Sequence, residues 1–236
     1  MEIEPLGDSA LIVRVVDDFA RDPEASLDTV QAALRSLETA AIPGVTELAP
    51  AYATIGVFFD VAEVARAAAG EEVLGWLSAK IESALKTRSV QNKADVKTQL
   101  IEIPVCYDRE FASDIDDVVR VAGLAESDVI HRHAGANYRV ACVGFIGGFP
   151  FLSGLPSELA TPRRAIPRKE VPAGSVAIGG AQTGIYPRNS PGGWNVIGRT
   201  PLRLFDVQRD PPTVLQTGDR VRFREISREE FDSLSQ

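Results

Sequence analysis

Proline and glycine crowd into one stretch of this chain, and no other feature constrains the fold as strongly. Ten of the fifteen prolines lie between Gly144 and Pro212, and eleven of the nineteen glycines lie between Gly144 and Gly198. Proline lacks the amide hydrogen that a helix interior needs, and both residues favour tight turns. Short strands joined by turns satisfy this composition, so we predict an all-β barrel or sandwich here.

Residues 1–96 have the pattern of a small α+β domain. Asp22 and Pro23 are typical of a helix N-cap and of the first helical position. Apolar residues at helical spacing follow them, and Pro43-Gly44 ends that helix. With a second amphipathic pattern and two apolar β-rich runs, the predicted elements are strands over 10–16 and 54–59 and helices over 23–42 and 73–85.

Residues 97–236 form the second predicted domain. It begins with a strand over 100–105, followed by helical patterns around 115–121 and 127–133. The polar stretch 86–97 before it is typical of a linker. The predicted fold is therefore an α+β N-terminal domain followed by a mainly β C-terminal domain.

The charge is unevenly distributed. The chain has a net charge of −8, yet residues 139–205 contain eight basic and two acidic side chains, a local surplus of 8 − 2 = +6. The acidic balance of the whole chain and its few aromatic residues argue against nucleic acid as a partner. A small anion fits the local surplus better.

Several classes of protein are excluded by missing residues. Cys106 and Cys142 are the only cysteines, so the chain can form neither a disulfide framework nor a four-thiolate zinc site. The uncharged run 140–157 is rich in glycine and proline, which argues against a membrane span, and the acidic N-terminus does not resemble a secretory signal. We expect a cytoplasmic protein with no membrane partner and no metal site of its own.

Catalytic motifs are missing as well. The sequence has no phosphate-binding Gly-x-x-x-x-Gly-Lys-[Ser/Thr] loop and no Gly-x-Ser-x-Gly nucleophile motif. Met1 is the only methionine, so the chain also lacks a methionine-flanked lysine for biotin attachment. These absences favour one subunit of a larger enzyme over a self-contained hydrolase.

Several motifs in a fixed order resemble a known family. They include Gly-Asp-Ser-Ala-Leu at 7–11, Gly-Phe-Ile-Gly-Gly-Phe-Pro-Phe-Leu at 144–152, Thr-Pro-Arg-Arg at 161–164, Ser-Pro-Gly-Gly-Trp at 190–194 and Gln-Thr-Gly-Asp-Arg-Val at 216–221. This order resembles the allophanate hydrolase subunit 1 family, which includes the kinase inhibitor KipI and the B component of bacterial 5-oxoprolinase. The resemblance implies a cyclophilin-like β-barrel for the second domain.

The resemblance also implies a function and partners. It favours a subunit of ATP-dependent 5-oxoprolinase that opens 5-oxo-L-proline to L-glutamate, with ATP, and Mg²⁺ beside it, bound in the assembled enzyme. The expected partners are a homologue of allophanate hydrolase subunit 2, which is the C component of 5-oxoprolinase, and a third subunit, and the expected ligand is a small anionic amide or lactam. Two alternatives are an inhibitor of a sensor histidine kinase, as KipI is, and an allophanate hydrolase or urea-carboxylase-type carboxyltransferase component.

Candidate site residues cluster in the basic stretch. Arg163, Arg164 and Arg168 lie beside rigid prolines, which favours binding of a carboxylate or phosphate. The alternatives are a solvated rim of the barrel and ion pairs with Glu158 or Glu170. The glycine pair before Trp194 offers backbone amides to an anion, although such pairs also occur in hairpins. With the resemblance, the predicted anion and substrate site consists of Arg163, Arg164, Arg168, Gln182, Tyr186, Gly192, Gly193, Trp194 and Arg199.

The two histidines are the remaining candidates for acid–base chemistry. His131 and His133 are two residues apart on a predicted helix, so they point to different faces and cannot clamp one metal ion. His133 falls where the resembled family carries a histidine, which makes it the candidate acid or base. The alternative is a structural histidine near a helix end.

Overall fold

The computed structural model of the protein describes residues 1–86 and 100–235. The chain divides into two compact units, Met1–Lys97 and Thr98–Gln236. The predicted linker at 86–97 lies outside the described residues, except for Lys86. In the described part of the chain, every helix is too short or too polar to cross a membrane.

In residues 1–86, the first unit packs three α-helices on a four-stranded antiparallel sheet. Its strands and helices are β1 Glu2–Pro5, β2 Ala10–Arg14, α1 Pro23–Ala40, β3 Val45–Ala51, β4 Thr54–Phe59, α2 Val61–Ala68 and α3 Val73–Lys86. The strand order is β1-β2-β4-β3. Alternate residues of β4, Ile55, Val57 and Phe59, are buried in the core of this unit, as expected for a strand with one face covered.

Helix α1 begins as its sequence predicts. The Asp22 carboxylate accepts a hydrogen bond from the Ala25 amide at 3.0 Å, and Pro23 occupies the first helical turn. Leu27, Val30 and Leu37 are buried along one face of the helix. The prediction of this helix and its N-cap is confirmed, and the helix ends at Ala40, just before Pro43-Gly44.

The second unit contains nine strands and three helices in its described residues. They are β5 Leu100–Val105, α4 Ile115–Ala122, α5 Glu126–Gly135, β6 Asn137–Val143, β7 Pro150–Ser153, β8 Arg168–Val171, β9 Ser175–Gly179, β10 Gln182–Ile185, β11 Ser190–Gly192, β12 Asn195–Arg199, β13 Arg220–Glu225 and α6 Arg228–Leu234. The uncharged run 140–157 therefore forms strands and turns, as predicted.

Seven of these strands form a closed ring of pairings. The order is β5-β13-β6-β7-β10-β9-β12, with β5 and β13 parallel and the other pairs antiparallel. Cys106, which directly follows β5, then pairs with Arg199 at the end of β12 through two backbone hydrogen bonds of 2.9 Å. The first and last strands of the sheet are thus joined.

A second, two-stranded sheet positions the candidate site. Strands β8 and β11 pair antiparallel, with Ser190 opposite Val171 and Gly192 opposite Arg168. The chain enters β8 from residues 162–168, which we call the arginine loop, and leaves β11 through Gly193 and Trp194. The predicted basic and glycine motifs are therefore neighbours in the fold, about 25 residues apart in sequence.

Candidate functional site

A pocket lined by aromatic rings opens beside the arginine loop and has a volume of about 340 Å³. We call it the aromatic pocket. Five aromatic side chains line it together with two arginines, two prolines and two glycines: Phe145, Phe149, Phe151, Tyr186, Trp194, Arg163, Arg164, Pro167, Pro191, Gly192 and Gly193. Its surface is mainly apolar, and its charged groups are both cations.

The aromatic rings of the pocket pack edge to face against one another. The Phe149 ring lies edge-to-face on Trp194, with centroids 5.5 Å apart, and on Tyr186, with centroids 5.1 Å apart. Phe149, Tyr186 and Trp194 are all buried. Edge-to-face pairs of this kind contribute stability beyond the area they bury, so the floor of the pocket is preorganised.

Glycines make room for these rings. A Cβ atom at Gly192 would overlap the hydroxyl of Tyr186, and one at Gly179 would overlap the Trp194 indole. Burial raises the pKa of Tyr186, so its hydroxyl is neutral at physiological pH.

Arg163 is a lining residue of the aromatic pocket whose guanidinium can bind an anion. Its side chain is exposed, and its guanidinium lies 5.6 Å from the centroid of the Trp194 ring. Among the residues that the structure describes, no carboxylate pairs with Arg163. A guanidinium held over an indole keeps its charge and its hydrogen-bond donors for an anion.

Arg164 and Arg168 share one buried carboxylate instead. Asp114 accepts hydrogen bonds from Arg164 at 2.6 Å and, in bidentate fashion, from Arg168 at 2.6 and 2.7 Å. The alternative pairing with Glu158 or Glu170 is wrong, because Glu158 binds Arg132 and Glu170 accepts from Asn189. The carboxylate that holds these two arginines lies 50 residues or more before them in sequence.

A second, more polar pocket of about 490 Å³ lies along the same loop. It shares Arg163 and Arg164 with the aromatic pocket and adds Asp117, Arg120 and Asn195 to its lining. Arg120 is paired with Asp117 at 2.7 Å, so its charge is already balanced. The arginine loop is therefore the common wall of two pockets.

His133 lies in the protein core. Its Nδ1 is 2.8 Å from the Tyr107 hydroxyl, and its Nε2 is 2.9 Å from Oγ1 of Thr183. Thr183 donates its hydroxyl hydrogen to the carbonyl of Ala177, so His133 donates from Nε2 and accepts at Nδ1. Complete burial lowers the pKa of His133 to about 3. The ring is thus neutral, fully hydrogen-bonded and stacked on Phe223.

Gln182 and Arg199 also lie away from the aromatic pocket. Gln182 begins β10 and pairs with Gly179 across the sheet. The Arg199 Nε donates to the carbonyl of Ala173 at 2.8 Å, and its guanidinium lies over Phe111. The structure therefore brings together Arg163, Arg164, Tyr186, Gly192, Gly193 and Trp194, and it holds Arg168 beside them through Asp114.

Other lining residues were not predicted. Phe145, Phe149 and Phe151 belong to a motif visible in the sequence, but three phenylalanines in an apolar run are also typical of a core. No local sequence pattern identified Asp114 as a site residue, because its hydrogen-bond partners lie 50 to 82 residues further along the chain. In the described ranges, no cluster of His, Cys, Asp and Glu residues could hold a metal ion.

Comparisons with known proteins agree with this architecture. The family described as carboxyltransferase domain, subdomain C and D, matches residues 1–215. A protein of Bacillus subtilis named as the B component of 5-oxoprolinase is 38% identical over 230 residues, which cover 98% of this chain and 95% of that protein. The Haemophilus influenzae protein of the same name is 52% identical over 130 residues, covering 55% of this chain and 61% of that protein.

Solved structures give the same result. The crystal structure of TTHA0988 is 33% identical with a TM-score of 0.73, and the match covers 92% of this chain but 40% of that one. The urea carboxylase of Kluyveromyces lactis has a TM-score of 0.73 at 19% identity, covering 98% of this chain and 22% of that one, so it supports the fold alone. The chain belongs to the carboxyltransferase domain subdomain C and D family, and the resemblance predicted from its sequence is confirmed.

Proposed function

We propose that this chain is a subunit of an ATP-dependent 5-oxoprolinase, which opens the lactam ring of 5-oxo-L-proline to give L-glutamate. The observation that carries the proposal is the aromatic pocket, with Arg163 at its edge and no carboxylate paired to it in the described residues. The relatives named as B components of 5-oxoprolinase, one of them matched over nearly its full length, support the same activity. Its partners are a homologue of the C component and a third subunit.

The chemistry of the pocket fits a small cyclic anion. The methylene groups of the 5-oxoproline ring would pack against Phe149 and Trp194, and its carboxylate would accept hydrogen bonds from the Arg163 guanidinium. Charge-assisted hydrogen bonds in a largely apolar pocket give both affinity and orientation. The backbone at Gly192 and Gly193 can approach the ligand closely because no side chain intervenes.

The pocket binds and orients, but it has no nucleophile. Its lining, all within the described residues, contains no Ser, Thr, Cys, His, Asp or Glu, and the phenol of Tyr186 is neutral. The groups that activate the lactam therefore come from a partner subunit. This division of labour explains why the chain would be inactive alone.

The arginine loop suits the phosphate groups of ATP. The described residues contain no group of three or more His, Cys, Asp or Glu side chains that would hold a metal ion by themselves. Mg²⁺ would therefore enter with the phosphates of ATP, which supply most of its ligands together with water. We therefore assign the ATP-dependent step to the assembled enzyme.

A coupled assay tests the proposal. It measures ATP-dependent glutamate release from 5-oxoproline by the chain alone, with its C-component partner, and with the third subunit added. We expect activity in the full mixture only. No turnover from a demonstrably assembled complex would refute the proposed function.

Two arginine variants test the site itself. Arg163→Ala should raise KM for 5-oxoproline by about tenfold or more, because it removes a charged hydrogen-bond donor from the ligand carboxylate. Arg188→Ala is the matched control, since Arg188 is an exposed arginine of the same basic stretch that lines neither described pocket. Equal increases in KM for the two variants would show that binding depends on the total positive charge of the basic stretch and not on Arg163 itself.

A separate proposal concerns the fold of the second unit. We propose that residues 98–236 form a cyclophilin-like barrel, which the ring of pairings from β5 to β12 supports. A carboxyltransferase component is the alternative function, and the family description favours it. It predicts that turnover of the assembled complex depends on a biotinylated carrier, whereas the 5-oxoprolinase proposal predicts no such dependence.

A further inference from the structure

Asp114 is a buried carboxylate in an unusual position. It occupies the N-cap of α4, where an aspartate normally accepts from the first amides of its own helix, but its side chain makes no capping hydrogen bond. Only 2% of this side chain is exposed. Since a buried charge needs compensation, its partners elsewhere must account for its presence.

Both oxygens of Asp114 are directed at the site. Oδ1 accepts from Arg164 and Arg168 at 2.6 Å each, and Oδ2 accepts from Arg168 and from the Val196 amide at 2.7 Å each. Burial opposes the charge, but the hydrogen bonds from Arg168 and Val196 outweigh it and leave the pKa of Asp114 below its ordinary value. The carboxylate is therefore ionised when it holds the two arginines.

Other contacts hold the arginine loop at one end or at the other. Ile166 at its tip is 81% exposed, so burial of apolar surface does not fix the tip. At one end the Arg164 amide donates to the Gly193 carbonyl and the Asn195 side chain donates to the Pro162 carbonyl. At the other end Arg168 donates to the Ser113 hydroxyl at 3.3 Å and lies opposite Gly192 in the two-stranded sheet. Among the described contacts, those of Asp114 join both ends of the loop, through Arg164 and Arg168.

The charge balance of the cluster favours an anion in the pocket. The carboxylates of Asp114 and Asp117 face three guanidinium groups, those of Arg120, Arg164 and Arg168, so a net positive charge remains next to Arg163. Arg163 itself directly precedes a residue that Asp114 anchors and makes no ion pair in the described part of the chain. Fixing its neighbours fixes the backbone position from which its side chain extends over Trp194.

We propose that Asp114 is a positioning residue of the aromatic pocket, holding Arg164 and Arg168 so that the arginine loop stays closed and Arg163 faces a bound anion. The choice of anion rests on the proposed function, but the positioning role does not. It predicts that loss of the Asp114 charge opens the pocket around Trp194 without unfolding the unit.

Fluorescence of Trp194 tests this role without any assay of activity. Trp76 and Trp194 are the only tryptophans, so Trp76→Phe leaves Trp194 as the single probe. In that background, Asp114→Asn should raise the acrylamide quenching constant of Trp194 by about twofold or more, because local opening exposes the ring. Circular dichroism checks that the variant is folded.

Asp116→Asn is the matched control. It removes the same charge from the first turn of the same helix, but its carboxylate pairs with the exposed Arg109 and not with the arginine loop. In the Trp76→Phe background, the acrylamide quenching constant of Trp194 should be the same with and without Asp116→Asn. Should Asp114→Asn fail to fold, Arg168→Lys keeps the charge but loses the bidentate geometry, and it should shift quenching in the same direction.

The result that overturns the proposal is parental quenching in a folded Asp114→Asn or Arg168→Lys variant. In the assembled complex, Asp114→Asn should also raise KM for 5-oxoproline by about tenfold with a smaller change in kcat, since it acts on binding through Arg163. If the wild-type complex shows no turnover, the proposed function fails, whereas the quenching result still decides the role of Asp114.

Discussion

At the scale of single residues, two adjacent glycines differ in what a methyl group would meet. A Cβ at Gly192 would overlap the Tyr186 hydroxyl, whereas one at Gly193 would have no neighbour closer than 3.6 Å. We expect Gly192→Ala to lower the free energy of unfolding by about 1–3 kcal/mol, because Tyr186 is buried and cannot move freely. Urea unfolding measures this effect.

Gly193→Ala is the internal control for that experiment. Its methyl group would make ordinary contacts with Pro167 and Arg164, so the free energy of unfolding should change by about 0.5 kcal/mol or less. Equal destabilisation by the two substitutions would mean that backbone freedom, and not the fit against Tyr186, explains the glycine pair.

The buried His133 makes stability depend on pH. Its folded pKa is about 3, and the unfolded value is near 6.5, so between these values the unfolded chain binds a proton that the folded protein does not. Stability attributable to His133 therefore falls as pH falls, by about 2 kcal/mol between pH 8 and pH 5. Urea unfolding of the wild type and of His133→Gln at both pH values isolates this contribution.

The variant is expected to be less stable at every pH, because it loses hydrogen bonds to Tyr107 and Thr183. The informative quantity is the slope of the variant's free energy of unfolding against pH. This slope should be smaller than that of the wild type. An NMR titration in which the His133 ring protonates near pH 6 would contradict the buried, neutral assignment.

At the scale of elements, two aspartates at helix N-caps have different uses. Asp22 caps α1, whereas Asp114 leaves α4 uncapped and binds arginines instead. We expect Asp22→Ala to lower the free energy of unfolding by about 1 kcal/mol and Asp22→Asn to restore most of it, since asparagine caps equally well. Thermal and urea unfolding of the three proteins measure this, and an effect of Ala and Asn of equal size would contradict capping.

The same contrast shows which elements a sequence can predict. Helix α1 was predictable because Asp22, Pro23 and the apolar spacing that follows are all local signals. Strand β13 has the polar–apolar alternation of a half-buried strand, but its local sequence does not indicate its parallel pairing with β5, about 120 residues earlier. The Asp114 cluster depends on contacts of the same kind, so the arginines were predicted as a group while their partner was not.

The residues of the aromatic pocket were only partly predictable from the sequence. The local motifs singled out Arg163 and the glycine pair before Trp194, and the resemblance grouped them into one predicted site; in the structure they line the same pocket. Gln182 joined the predicted site through the resemblance, Arg199 through the basic stretch as well, and His133 was a separate acid–base candidate; none of the three lines the aromatic pocket. Which side of a strand faces a pocket follows from register, and register is fixed by the whole sheet.

At the scale of the whole molecule, the second unit has a hydrophobic core built from its own residues. Its core includes Ile103, Val140, Ile178 and Phe223, all from within residues 98–236. Strand β13 pairs with β5 over six residues, from Arg220 opposite Leu100 to Glu225 opposite Val105, and so ties the two ends of the unit together. We infer that the unit is an independent domain.

The domain hypothesis predicts that a fragment of residues 98–236 unfolds cooperatively and keeps the emission spectrum that Trp194 has in the Trp76→Phe full chain. A fragment of residues 98–215 is the control, because it lacks β13 and leaves β5 without its parallel neighbour. We expect the shorter fragment to lose cooperative unfolding, since Val221 and Phe223 would be missing from the core. An unfolded 98–236 fragment would show that this domain depends on the rest of the chain, and equal stability of both fragments would show that the β5–β13 pair does not close the fold.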